Sequence, residues 1–163
     1  MQVILLRHAT RNTHELGDPP LNVVGLTQAQ ALVEKLKPNG PLPVPTVILS
    51  SPKKRARETL TPLSQSTGLA IVVDERIDER HQNESLKVFE TRVQDLLASL
   101  APREQKCILI CSHLDWLESA FVNLTNLMEK AVDVSFGWGT AEFRVFEHHK
   151  SEGSQSGQWR LLK

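Results

Sequence analysis

The sequence has no excess of charge of either sign, since 19 lysines and arginines balance 19 aspartates and glutamates over 163 residues. It therefore lacks the basic surface that attracts nucleic acid or an anionic membrane, and we expect neither as a partner. It also lacks any apolar run close to the roughly 20 residues needed to cross a bilayer. Its first apolar stretch is about five residues long and has no basic leader, so it predicts a strand and not a signal peptide.

Cysteine is scarce, and its placement predicts a reducing compartment. The two cysteines, Cys107 and Cys111, lie in one apolar segment, CILIC. In a strand, this spacing places them about 13 Å apart, which is too far for a disulfide. We therefore expect a cytoplasmic protein. The spacings of the histidines form no obvious metal-binding cluster.

The remaining composition is that of an ordinary globular protein, with 40% hydrophobic and 23% charged residues. A chain of this length buries roughly 70% of its unfolded surface, which is enough for a core of its own. Repeats and long low-complexity segments are absent from the sequence. We therefore expect one domain over residues 1–163.

Short apolar runs alternate with helical patterns along most of the chain. The runs that predict strands are Val3–Leu6, Thr46–Leu49, Ala70–Val73, Cys107–Cys111, Glu142–Phe146 and Gln158–Leu162. The predicted helices are Thr27–Leu36, one that begins at a Ser51-Pro52 cap, Ser85–Leu100, and one from about Asp115 to Met128. This alternation predicts an α/β fold, a three-layer α/β/α sandwich whose largely parallel central sheet has about five or six strands.

Segments rich in Pro, Gly and Ser predict surface loops over Lys37–Pro45 and Lys150–Gly157. We expect the second of these to be a hairpin connection at the end of the sheet. The Phe136–Gly139 segment resembles a mobile loop that either lines a pocket or forms a simple turn.

Polar side chains follow the predicted strands at the edge where such sheets bind ligands, beyond the strands' carboxyl ends. They are Arg7 and His8 after the first strand, Ser50, Ser51 and Arg55 after the second, Asp74–Arg80 after the third, and Ser112 and His113 after the fourth. Each alone has an ordinary structural explanation, such as a solvated basic helix face for Arg55. Together, the two arginines and two histidines predict an electropositive pocket suited to a phosphate dianion.

Such a pocket has the parts needed for phosphoryl transfer. Nearby arginine charges disfavour the protonated form of a histidine, so a neutral imidazole could attack phosphorus. A carboxyl group at the rim, for which Glu79 is the candidate, could protonate the departing oxygen. The remaining positive charges would stabilise the phosphoryl oxygens in the transition state.

Five short motifs occur in the order typical of the histidine phosphatase superfamily, the phosphoglycerate-mutase-like clan. They are LLRHAT, DPPLNVVGLTQAQAL, SSPKKRARETL, IDERHQNES and CSH, and the pattern Glu84-Ser85…Arg92 also matches. Each motif is short, but the ordered set covers nearly the whole chain. The sequence therefore resembles this superfamily, and the resemblance implies its fold and a phosphatase activity.

The resemblance also implies a role for each matching residue. His8 would be the nucleophile and would form a phosphohistidine intermediate, while Arg7, Arg55 and His113 would hold the phosphoryl oxygens. Glu79 would act as general acid for the leaving group and then as general base for water. Asn12 and Arg80 are further candidates for contact with the substrate. Neither a metal nor a cofactor is implied.

The sequence departs from the family pattern in three places. Ala9 replaces the usual glycine after the nucleophile, which is tolerable where φ is negative, and Leu114 replaces a glycine after the second histidine. Only Arg80–Glu84 separate Glu79 from the next helix, where larger members carry a long insertion. We therefore expect a comparatively open pocket, which would suit a bulky or protein-borne phosphate or poor substrate selectivity. The expected partner is a phosphorylated small molecule or a phosphoprotein.

Several functions remain open from the sequence. A phosphatase for phosphate monoesters is the leading hypothesis. A protein phosphohistidine phosphatase of the compact type is the first alternative, although compact members of that kind tend to lack an acid such as Glu79. An inert phosphate-binding module is the second, and a mutase is disfavoured because no long cover over the site is evident. The sequence does not predict the substrate or the oligomeric state.

Overall fold

The protein is described by a computed structural model that covers residues 1–36, 40–100, 107–126, 137–150 and 157–163. In chain order, the elements are β1 (Gln2–Arg7), α1 (Val23–Lys35), β2 (Val47–Ser50), α2 (Lys54–Thr67), β3 (Ile71–Val73), a 3-10 turn (Glu75–Ile77), α3 (Leu86–Ser99), β4 (Cys107–Ser112), α4 (Leu114–Thr125), β5 (Phe143–Lys150) and β6 (Gly157–Leu161). No helix within these ranges is long and apolar enough to span a membrane.

The six strands form one sheet in the order β3-β2-β4-β1-β5-β6. The first four strands are mutually parallel, whereas β5 is antiparallel to β1, and β6 is antiparallel to β5. The predicted largely parallel sheet is therefore confirmed. β5 and β6 are antiparallel neighbours, as the two strands of a hairpin must be. The predicted connection between them, Lys150–Gly157, lies mostly outside the described residues.

The register of the central strands aligns their carboxyl ends. Arg7 pairs with Ser112, and Ser50 pairs with Cys111, so β1, β2 and β4 end at nearly the same level. The residues that follow these strands therefore emerge side by side at one edge of the sheet.

Both faces of the sheet are covered, which explains why its strands are apolar at consecutive positions. Side chains alternate across a strand, so Ile4 and Leu6 pack on the side of α1 and α2, whereas Val3 and Leu5 pack on the side of α3 and α4. All four side chains are completely buried, and each such burial contributes about 1.5–3 kcal/mol. The two apolar layers confirm the three-layer α/β/α sandwich.

The third and fourth helices lie close to their predicted positions. The Ser85 side chain caps α3 by accepting a hydrogen bond from the backbone N–H of Val88 at 3.3 Å. α4 begins at Leu114, one residue before the prediction, and Met128 lies outside the described residues. Leu114 is half-buried against the core on the α3 and α4 side of the sheet.

The predicted starts of the first two helices were wrong. α1 begins at Val23 and not at Thr27, because the Asn22 side chain caps it by accepting from the N–H of Gly25 at 2.8 Å. α2 begins at Lys54 and not at a Ser51-Pro52 cap.

At α2, a distant carboxylate replaces the local cap. Both carboxylate oxygens of Asp18 accept from the N–H of Lys54, at 3.0 and 3.1 Å. A negative charge is favourable at a helix N-terminus. The oxygen of Ser51 accepts from the N–H of Lys53 at 3.3 Å, one residue before α2, while its hydroxyl donates to Asp78. The cap of this helix is therefore the tertiary contact with Asp18.

Gly25 allows α1 to approach the segment that follows β1. A Cβ at this position would lie 2.1 Å from the carbonyl oxygen of Thr10, which also accepts from the N–H of Asn22. Alanine normally stabilises a helix by about 1 kcal/mol relative to glycine. Here the backbone contact requires glycine.

We expect Gly25→Ala to destabilise the protein by about 1–3 kcal/mol, because the new methyl group overpacks a contact made by backbone. Urea unfolding would measure the change in free energy of unfolding. Gly137→Ala is the control, since no described atom lies within 4 Å of a Cβ there. A Gly25→Ala protein as stable as the parent would contradict this account of the contact.

Candidate active site

Four of the predicted residues meet at the carboxyl edge of the sheet. The rings of His8 and His113 lie 5.1 Å apart between centroids. The Arg55 guanidinium contacts both His113 Nδ1, at 3.1 Å, and Glu79 Oε2, at 2.6 Å. The backbone N–H of His8 donates to the carbonyl of Ser112 at 3.0 Å, which extends the β1–β4 pairing by one residue and places the imidazole at this edge.

The geometry of His8 leaves one ring nitrogen available for reaction. Its Nδ1 lies 2.7 Å from the carbonyl oxygen of Ala9. A carbonyl only accepts hydrogen bonds, so Nδ1 carries the proton and Nε2 keeps its lone pair. The N–H of Ala9 in turn donates to Thr59 Oγ1 at 2.9 Å. Ala9 does not have a positive φ, so replacement of the usual glycine introduces no backbone strain there.

The surroundings of His8 favour its neutral form. Its side chain is buried, and burial is the largest cause that lowers its pKa, from 6.5 to about 4. The positive charges of Arg55, Arg7 and Arg11 act in the same direction, whereas the hydrogen bond with Ala9 opposes them. At neutral pH, His8 is therefore an uncharged imidazole beside cationic groups.

Arg55 is the most deeply buried charge of the site, with 1% of its side chain exposed. Its Nη2 donates to Glu79, and its Nη1 lies 3.7 Å from Asp18 Oδ1. Within the described part of the chain, Nη1 and Nε have no hydrogen-bond partner. Buried guanidinium donors without acceptors suit an anion such as a phosphoryl group.

Arg7 is held by Trp138, which lies in the segment that the sequence predicts to line a pocket or form a turn. Its Nη1 donates to the carbonyl oxygen of Trp138, while its Nε has no hydrogen-bond partner among the described residues. Trp138 is buried, and its ring packs edge-on against Phe121 with centroids 6.1 Å apart. The described part of the Phe136–Gly139 segment thus contributes to the core and orients Arg7.

His113 is buried at the other side of Arg55. An arginine only donates, so His113 Nδ1 accepts from Arg55, and Nε2 carries the proton. Nε2 lies 2.8 Å from Ser51 Oγ, which lies 3.1 Å from Asp78 Oδ1. Burial first, and then the charge of Arg55, lower the pKa of His113 to about 2.

Glu79 lies at the rim, with 38% of its side chain exposed. Its carboxylate is 3.8 Å from His113 Nδ1 and 3.9 Å from Lys53 Nζ. A carboxyl group in this position can exchange a proton with solvent and still reach a group bound to Arg55. The location of Glu79 therefore suits the acid predicted for the leaving group.

The Glu84…Arg92 pattern holds the backbone beneath Glu79. Arg92 donates to the carbonyl oxygens of Asp78 and Glu79, at 2.9 and 3.3 Å, and to both oxygens of the Glu84 carboxylate, at 2.9 and 2.7 Å. The hydrogen bonds from Arg92 are the largest cause that lowers the pKa of Glu84, to about 2. This ion pair therefore persists over the whole neutral range.

The other two predicted substrate contacts have their hydrogen bonds elsewhere. Asn12 bonds within its own loop, donating to Glu15 Oε1 at 3.1 Å and accepting from the N–H of His14 at 2.9 Å. Arg80 donates from Nε to the carbonyl of Glu84 at 3.1 Å and lines a groove of about 760 Å³ between α3 and α4. Contact of either residue with a substrate remains a prediction.

Sequence reasoning listed Ser51 and the stretch that contains Asp78 at this edge, but it did not predict their contacts behind the cationic residues, and it did not single out Asp18. Asp18 and Asp78 lie within the recognised motifs, but nothing in their local pattern indicates contacts with Arg55 or Ser51. Within the described residues, no group of three or more His, Cys, Asp or Glu side chains could hold a metal ion.

Comparisons with known proteins identify the family and the fold. The sequence profile of the histidine phosphatase superfamily (branch 1) matches residues 3–84. The "Probable phosphoglycerate mutase GpmB" of Yersinia enterocolitica is 30% identical over 112 residues, which are 65% of this chain and 47% of that protein. The match thus spans about half the length of this curated relative.

Two solved structures show the same fold. A mycobacterial glucosyl-3-phosphoglycerate phosphatase superposes with a TM-score of 0.75 and 22% identity, covering 98% of this chain and 96% of the other. A phosphoserine phosphatase from Entamoeba histolytica, solved with 3-phosphoglyceric acid, superposes with a TM-score of 0.75 and 19% identity, covering 99% and 95%.

The burial of His8 and the arginines near it predict a low pKa for its imidazole. We expect the imidazole of His8 to titrate near pH 4 in NMR spectra, with its resonance assigned by comparison with His8→Ala. Arg55→Met should raise this pKa, because it removes a nearby positive charge and keeps an apolar side chain of similar length. Titration near pH 6.5, or no effect of Arg55→Met, would contradict the proposed environment of the ring.

Proposed function

Since this chain belongs to the histidine phosphatase superfamily, we propose that it is a metal-independent phosphatase that hydrolyses phosphate monoesters through a phosphohistidine intermediate on His8. The observation that carries the proposal is the neutral imidazole of His8 beside the buried Arg55, whose Nε and Nη1 have no described hydrogen-bond acceptor. The first group can attack phosphorus, and the second can hold the oxygens around it.

The first step transfers the phosphoryl group to the protein. Nε2 of His8 attacks phosphorus, and the bond from phosphorus to the ester oxygen breaks. Arg7, Arg55 and His113 bind the three remaining oxygens, and their charge or hydrogen bonds stabilise the transition state. When phosphoryl oxygens replace Glu79 as acceptors for Arg55, the nearby negative charge favours a proton on Glu79, which then passes to the leaving oxygen.

The second step regenerates the protein. Glu79, now a carboxylate, takes a proton from a water molecule, which attacks phosphorus. The bond from phosphorus to His8 Nε2 breaks, and its electron pair returns to the imidazole. Inorganic phosphate leaves, and Arg55 again donates to Glu79.

Two observations favour a small phosphate ester as the substrate. An alkoxide leaving group needs a proton, and Glu79 is placed to give one, whereas a phosphoramidate needs less specialised help. The superposed structures are also named for phosphatases of small molecules, a glucosyl-3-phosphoglycerate and phosphoserine. A phosphohistidine substrate and an inert phosphate-binding module are the outcomes that the experiments below distinguish.

The nucleophile is tested by His8→Ala, which should abolish hydrolysis across a panel of phosphorylated metabolites and phosphopeptides, including a phosphohistidine peptide. The loss should exceed about 1000-fold, because both ring nitrogens of His113, the other imidazole beside Arg55, are engaged in hydrogen bonds with Arg55 and Ser51. Rapid acid-free quenching and mass spectrometry should detect a phosphoryl group on His8 in the parent protein.

His148→Ala is the matched control, since His148 lies on β5 opposite the amino end of β1 and far along the sheet from His8. Its activity should stay within about twofold of the parent, and parent activity should also persist in a chelator. Parent-level activity of His8→Ala would exclude this mechanism. Phosphate binding without turnover of any ester would indicate the inert module.

The acid is tested by Glu79→Gln with two esters of different leaving groups. We expect kcat/KM, which reports the step that expels the leaving group, to fall about 100-fold or more for an alkyl phosphate and far less for p-nitrophenyl phosphate, whose phenolate needs no proton. Equal losses of kcat/KM for both esters would exclude general-acid catalysis by Glu79. A parent protein that prefers the phosphohistidine peptide would identify the alternative substrate class.

A further inference from the structure

A buried chain of hydrogen bonds connects His113 to a carboxylate behind the phosphate site. Asp78 accepts from Ser51 Oγ, so the Ser51 oxygen is free to accept from the proton on His113 Nε2. Asp78 Oδ1 also lies only 3.5 Å from His113 Nε2. All three residues are buried, and no step of the proposed reaction uses Asp78 or Ser51.

With Nδ1 bare, His113 cannot donate to a bound phosphoryl group, and a proton added at Nδ1 supplies that donor without disturbing the hydrogen bond from Nε2 to Ser51. In the present state, His113 Nδ1 is a hydrogen-bond acceptor for Arg55. A phosphoryl group that takes the donors of Arg55 would bring its own oxygens against this bare nitrogen. Two acceptors repel each other, whereas an imidazolium ring would donate from Nδ1 to the phosphoryl group and from Nε2 to Ser51.

We propose that Asp78 is a positioning residue which, acting through Ser51, enables His113 to take up a proton at Nδ1 when a phosphoryl group binds. This inference rests on the proposed function, since it assumes that Arg55 and His113 hold the phosphoryl oxygens. The proton comes from solvent, so binding of a dianion to the site is linked to uptake of one proton.

The charges around the ring show why a carboxylate is needed. Arg55, Lys53 and Arg11 oppose an imidazolium at His113, and so does His8. Two negative groups favour it, namely the bound phosphoryl group in front of the ring and Asp78 behind it. Glu79 is also close, 3.8 Å from Nδ1, but in the proposed reaction it carries a proton once the phosphoryl group binds and is then uncharged.

Asp78 is itself held in place on several sides. Its carboxylate is 3.3 Å from Lys53 Nζ and 3.2 Å from His81 Nε2, and it accepts from the N–H of Glu79 at 2.9 Å. These contacts compensate the burial of the carboxylate. They also hold Oδ1 toward Ser51, so the negative charge lies on the Nε2 side of the His113 ring, 3.5 Å from Nε2.

Sulfate is the probe, because it is a tetrahedral dianion that carries no proton near neutral pH. A proton taken up when sulfate binds therefore goes to the protein and not to the ligand. The parent for the experiment is His8→Ala/Glu79→Gln, in which neither residue 8 nor residue 79 can take up the proton. Isothermal titration calorimetry in two buffers of different ionisation enthalpy gives the number of protons bound per sulfate.

We expect uptake of about one proton per sulfate in this parent at pH 7. Adding Asp78→Asn should reduce the uptake to less than about half a proton and weaken sulfate binding about tenfold. Asp74→Asn is the matched control, because Asp74 pairs with Arg76 and has no contact with His113. If Asp78→Asn does not fold, Ser51→Ala should reduce the uptake in the same direction.

NMR provides a readout that a purely structural role would not change. The ¹⁵N resonances of His113 should report a proton on both ring nitrogens in the sulfate complex of the parent and on one only in the Asp78→Asn variant. Equal proton uptake with and without Asp78, sulfate binding without uptake, or no sulfate binding by the parent would each overturn the proposal. Phosphatase activity and the phosphoenzyme on His8 are measured separately, so they can survive this failure.

Discussion

The buried guanidinium of Arg55 is the constraint on which the rest of the site depends. Removing a cation from water costs several kcal/mol, and the surrounding protein offsets this only in part, through Glu79 at 2.6 Å and Asp18 at 3.7 Å. The remaining donors favour an anion. The same positive charge, together with burial, keeps His8 and His113 neutral. One side chain thus prepares both the binding of a phosphoryl group and the nucleophile that attacks it.

The sheet supplies the geometry that makes this possible. Parallel strands that end in register bring the residues after β1, β2 and β4 together without long connecting loops. The supporting contacts are drawn from the same framework. Arg92 binds the backbone beneath Glu79, and the core residue Trp138 accepts a hydrogen bond from Arg7. The apolar layers therefore stabilise the fold and position the charged groups at once.

Local sequence patterns predicted elements well where local contacts determine them. The helix predicted over Ser85–Leu100 begins where expected, because the Ser85 hydroxyl oxygen accepts from an N–H three residues along the chain and caps α3. Ser51 has the same preference for a cap, yet its oxygen accepts from the N–H of Lys53, one residue before α2 begins, and its hydroxyl donates to Asp78, which lies 27 residues away. Asp18 binds the N-terminus of α2 in its place. A rule based on neighbouring residues cannot include either contact.

The sequence by itself determined the order of strands and helices along the chain and the two apolar faces of the sheet. It also determined the five side chains proposed for the chemistry, which are Arg7, His8, Arg55, Glu79 and His113. Periodicity and ordered motifs are properties of the chain, so they can be read without coordinates. Only the tertiary structure decided which nitrogen of each histidine carries a proton, and which partners orient Arg7 and His113. Those choices depend on hydrogen bonds between residues as far as 131 positions apart, and such pairs meet only after the layers have packed.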